Sequence, residues 1–97
     1  MDIIKIENQF NKALYLLNFG KIDRALELLE EVVIEAKKEN NSLFFIRGSC
    51  VIGELLFSIG RINEAKPYLN NVVNTSYEND VVDYEKSVAN DLLSQIR

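Results

Sequence analysis

The sequence has no histidine and no tryptophan, one cysteine, one proline, one methionine and only four glycines among 97 residues. Without histidine it lacks the commonest general base, the usual partner of a catalytic serine or cysteine, and the commonest metal ligand. The lone Cys50 cannot close an internal disulfide. An inert mid-helix packing residue is the plainer reading of it, and a redox-sensitive thiol the alternative. The acidic pairs Glu30-Glu31, Glu35-Glu39 and Asp80-Asp83 suit a solvated helix face better than a metal or acid/base site, because such side chains usually stay wet. The glycines form neither a GxGxxG run nor a G-K-[ST] sequence, so no phosphate-binding loop is expected. These absences point away from an enzyme, with no cofactor and no metal.

Long apolar runs are also missing. The longest stretches, Leu43 to Ile46 and Cys50 to Ile52, fall far short of the roughly 20 residues that span a bilayer. The start, from Met1 to Glu7, lacks the apolar core and cleavage site of a signal peptide. A cytoplasmic protein is expected. Eleven Lys+Arg against 15 Asp+Glu give a net charge of −4 and a pI of about 4.8. The basic residues are interleaved with acids, so nucleic acid and membrane surfaces are poor partners. With 47% hydrophobic and 27% charged residues, the composition is that of a single domain with its own core.

Punctuation this sparse makes each mark informative. Gly20 and Gly60 each separate two stretches of helical apolar spacing, as the turns of two helical hairpins would. Sliding the chain against itself by 40 residues aligns Ile6 with Ile46, Leu16 with Leu56, Gly20 with Gly60, Ile22 with Ile62 and Ala25 with Ala65. The same shift aligns Leu29 with Leu69, Val32 with Val72 and Val33 with Val73. Identities on apolar and turn positions, with polar mismatches between, are the trace of a repeated structural unit.

The spacing predicts one domain over 1–97, of five helices. The first runs from about Asp2, a candidate N-cap, to Phe19, with Ile3, Ile6, Phe10, Ala13, Leu14, Leu16 and Leu17 apolar. The second runs from about Lys21 to Lys38. Repeat one thus occupies about 2–39 and repeat two about 42–78, with Ser42 the expected N-cap of the third helix. The fourth is expected from about Arg61 to Tyr77, where Pro67 removes a backbone donor. A closing helix over about 80–96 turns Val81, Tyr84, Val88 and Leu92 inward, with Ala89, Leu93 and Ile96 as further candidates, and covers the open flank of the second repeat.

These residues resemble the tetratricopeptide repeat. Ala13, Leu16, Gly20, Ala25, Leu29 and Val32 in the first copy, and Gly53, Leu56, Gly60, Ala65, Leu69 and Val72 in the second, match its alternation of small and large residues. Small residues let helix backbones approach where they cross. Valine at 32 and 72 and a period longer than the usual ~34 residues depart from the pattern, so no subfamily's ligand carries over. The resemblance implies an all-α, TPR-like solenoid of two stacked antiparallel hairpins and a capping helix. It also implies a groove lined by the first helix of each pair. That face would comprise Glu7, Phe10, Asn11, Leu14, Leu17 and Asn18; then Arg47, Cys50, Val51, Glu54, Phe57 and Ser58; then Ser87, Asn90 and Ser94. Phe10, Leu14 and Phe57 would be apolar anchors, and Arg47 a partner for a carboxylate. The same apolar residues equally suit a core.

The function expected is non-catalytic binding of another protein or peptide through that face. The alternatives are an immunity protein or antitoxin that neutralises a basic toxin by charge complementarity, a small chaperone or adaptor, and a homo-oligomer in which repeat ends stack.

Overall fold

The computed structural model describes the backbone of residues 3–96 and the side chains of residues 4–96. It contains five α-helices: α1 (Ile3–Asn18), α2 (Ile22–Lys38), α3 (Ser42–Ser58), α4 (Ile62–Asn74) and α5 (Asp83–Gln95). A single 3-10 turn, Asp80–Val82, precedes α5, and the described residues include no strand. Each helix packs on the next, and α5 also packs on α3, whereas α1 touches α3 only lightly. The radius of gyration is 12.6 Å, close to the ~13 Å of a compact chain of about 100 residues.

The two glycine turns have the conformation their residue type favours. Gly20 has φ +72° and Gly60 φ +84°, in the left-handed region where a side chain would be strained. At the first, Lys21 N–H donates to Leu16 O at 2.9 Å and Gly20 N–H to Leu17 O at 3.0 Å. At the second, Arg61 N–H donates to Leu56 O at 2.8 Å and Gly60 N–H to Phe57 O at 3.1 Å. This pair of bonds satisfies carbonyls that the end of a helix leaves open. The end of α2 repeats it with Asn40, at φ +56°, in the glycine's place. Neither α2 nor α4 has a side-chain cap. Asp23 and Glu64 in their first turns, and Lys37 and Lys38 in the last turn of α2, complement the helix dipoles instead.

The start of α3, the end of α4 and the start of α5 differ from expectation. Asp2, expected to cap α1, lies outside the described residues. The N-cap of α3 is Asn41 rather than Ser42, because its Oδ1 accepts from Phe44 N–H at 3.1 Å. Helix α4 starts at Ile62, runs through Pro67 and stops at Asn74, short of Tyr77. There Thr75 turns extended, its hydroxyl donates to Asn71 O at 2.6 Å, and Lys86 of α5 donates to Thr75 O at 2.7 Å. The 3-10 turn also sets the phase of α5. Ala89 is buried and Val88 and Leu92 pack against the core as expected, but Val82 is buried while Val81 and Tyr84, expected inward, are 46% and 72% exposed. Ile3, also expected inward, has no described side chain.

Every helix contributes to the core: Ile6 and Ala13 from α1, Leu29 and Val32 from α2, Ile46 and Ile52 from α3, Leu69 and Val72 from α4, Ala89 from α5. Helix α3 is the central element, and its two glycines sit at close crossings. A Cβ on Gly48 would lie 2.9 Å from Val33 Cγ2, and one on Gly53 2.6 Å from Leu69 Cδ2. The missing side chains allow α2 and α4 to pack against opposite flanks of α3 at short range.

Candidate binding surface

Packing on both flanks leaves part of α3 open. Arg47, Val51, Glu54 and Ser58, spaced four, three and four apart, form a strip that is half-buried to exposed, while Phe44, Ile46, Ile52 and Leu56 around them are buried. Because α1 barely touches α3, an open depression of about 320 Å³ remains between them, lined by Leu17, Val51, Glu54, Leu55 and Ser58. Its floor is aliphatic and its polar groups are one carboxylate and one hydroxyl. The Ser58 hydroxyl donates to Leu55 O at 2.8 Å and keeps its lone pairs for a donor.

Toward the start of α3 the strip is closed by α5. Arg47 Nε lies 3.5 Å from Glu85 Oε2, and the guanidinium sits 6.0 Å above the Phe44 ring. Phe44 in turn meets Phe10 edge-on, with centroids 5.5 Å apart. The Cys50 thiol lies 3.5 Å from Glu54 Oε1 and 3.9 Å from Glu85 O, and its one proton can serve either acceptor. Burial foremost, then the charge and hydrogen bond of Glu54, then the charge of Glu85, push this thiol from 9.0 up to about 12. It therefore stays protonated at neutral pH and is a poor nucleophile.

The residues expected on the binding face separate into four groups. Leu17, Val51, Glu54 and Ser58 come together around the depression. Phe10 and Cys50, at 9% and 2% exposure, belong to the core, and Phe57 and Leu14 pack half-buried against it. Arg47 is engaged within the chain by Glu85. Glu7, Asn11 and Asn18 are exposed on α1, and Ser87, Asn90 and Ser94 on α5, without lining the depression.

Three features escaped the sequence reading. Glu85 faces inward beside Arg47, which a search for apolar residues does not register. Ile4, Tyr15 and Phe19 are exposed on α1, with the Tyr15 and Phe19 rings 4.8 Å apart. A polar depression of about 440 Å³ lies among Asn40, Asn41, Ser42, Tyr77 and Asn79, where the amides of Asn41 and Asn79 already cap Phe44 N–H and Val81 N–H. Among the described residues no three His, Cys, Asp or Glu side chains gather to hold a metal ion, and no helix is long and apolar enough to cross a membrane. Comparison with protein-family models, curated proteins and solved structures finds no match to this chain.

Proposed function

We propose that this chain is a non-catalytic protein–protein interaction domain of tetratricopeptide-like build, two helical hairpins and a closing helix, that binds a partner protein or peptide through the face shared by α1 and α3. The observation that carries the reading is the depression between these helices, where aliphatic Leu17, Val51 and Leu55 meet the polar Glu54 and Ser58. Apolar contact with a few placed polar groups is what recognition of a segment requires. The recurrence of one turn geometry at Gly20 and Gly60 supports the repeat architecture. The protonated, buried Cys50 supports a role without covalent chemistry.

A second reading, stoichiometric neutralisation of a basic protein, draws on the opposite face. Asp23, Glu27, Glu30 and Glu31 on α2 and Glu64 on α4 are all exposed. Glu30 and Glu64 both act on Tyr68, whose phenol is raised above its ordinary value first by burial and then by these two charges.

The two readings separate by substitution. Val51→Arg fills the depression and is expected to weaken partner binding at least tenfold, with thermal unfolding close to that of wild type, whereas Glu31→Arg leaves binding unchanged. The opposite pattern, binding lost with Glu31→Arg and kept with Val51→Arg, assigns the contact to the acidic α2 face and refutes the groove.

A further inference from the structure

Glu54 is the only charged side chain lining the depression between α1 and α3. It is half-buried, its Oε1 accepts from the Cys50 thiol, and among the described residues no lysine or arginine pairs with it. The nearest comparable pair on the strip, Arg47 with Glu85, is already complete. A carboxylate partly withdrawn from water and bordered by aliphatic side chains gains more from an incoming cation than one in bulk solvent, and it repels a like charge. The net charge of −4 acts in the same direction.

The geometry points to a partner segment that sets a lysine or arginine against Glu54 and inserts a neighbouring aliphatic side chain between Leu17, Val51 and Leu55. This inference rests on the reading of α1 and α3 as the contact face and adds its chemistry: a cationic, apolar segment rather than an acidic one. The small floor fits one aliphatic anchor, and the single carboxylate fits one cation beside it.

The test is selection of a phage-displayed random peptide library on the immobilised full chain, followed by titration of the recovered peptides. The expected peptides carry Lys or Arg within a helical turn of Leu, Ile or Met. Their affinity falls as salt is added and drops about five- to tenfold in Glu54→Gln, which still accepts from the Cys50 thiol. It is lost in Val51→Arg, and in Ser58→Arg at an exposed position should Val51→Arg fold poorly. Acidic peptides, or affinity insensitive to Glu54→Gln but lost in the two arginine variants, overturn the cationic chemistry and leave the contact face standing. Affinity indifferent to all three substitutions overturns the contact face and this inference with it. Recovery of no binding peptide overturns the short segment as occupant.

Discussion

At the scale of single residues, the structure separates side chains that the sequence treats alike. Cys50 and Val51 are neighbours on α3, yet one is closed under Glu85 and the other lines the depression. The Cys50 thiol should resist iodoacetamide at pH 8 in the native chain and react readily once unfolded, as mass spectrometry would report. A folded-state value near 12 against 9.0 unfolded means that the unfolded chain releases this proton first as pH rises. The associated stability is therefore complete below about pH 9 and declines toward pH 12, by no more than about 1.4 kcal/mol per pH unit. Chemical denaturation should show a shallower alkaline decline in Cys50→Ala; an unchanged slope would contradict the burial of the thiol. Gly53 is a different case. Its missing Cβ would meet Leu69 Cγ at 2.9 Å as well as Cδ2 at 2.6 Å, so Gly53→Ala should cost about 1–3 kcal/mol in urea unfolding. A neutral substitution would mean that α3 and α4 pack more loosely than described.

At the scale of elements, the helices readable from apolar periodicity are those whose ends are marked by a left-handed residue. Helices α1, α2 and α3 end within a residue or two of expectation because Gly20, Asn40 and Gly60 supply left-handed turns and the apolar stripes run uninterrupted between them. Helix α4 has no such stop, and a tertiary contact from Lys86 to Thr75 O coincides with its early end. Helix α5 departs from expectation only at its start, where Val82 is buried and Val81 and Tyr84 face out, while Val88, Ala89, Leu92, Leu93 and Ile96 pack in or against the core. Two adjacent valines leave the register ambiguous, and the inward position that settles it is charged: Glu85, held by Arg47. Side-chain exposures of 32% and 17% make this a half-buried pair, intermediate between surface pairs of little worth and costly buried ones. A double-mutant cycle on Arg47→Ala and Glu85→Ala should return a coupling of about 1 kcal/mol that persists in moderate salt. Coupling near zero would mean that the ion pair adds nothing to the packing of α5 on α3.

At the scale of the whole molecule, the internal 40-residue translation is legible because the same physical demand recurs: a backbone that leaves one helix and enters the next through a left-handed residue. The N-cap dihedrals of Lys21 (φ −85°, ψ 64°) and Arg61 (φ −87°, ψ 63°) are nearly superposable, although no side-chain cap enforces either. The candidate site was legible only in outline. Helical spacing put Val51, Glu54 and Ser58 on one strip, but spacing does not tell how far α5 reaches over Arg47 and Cys50, nor how lightly α1 touches α3. Those depend on helix crossings, which are set by small residues such as Gly48 and Gly53 acting at a distance in sequence.

The proposal that biology meets this molecule at the α1–α3 face is tested most directly by backbone amide NMR during titration with its cellular partner. The account predicts that shift changes and line broadening gather on Leu17, Asn18 and the strip from Val51 to Ser58, with α2 and α4 silent. Perturbations confined to the acidic face of α2, or to Tyr15 and Phe19 on the outer side of α1, would contradict it.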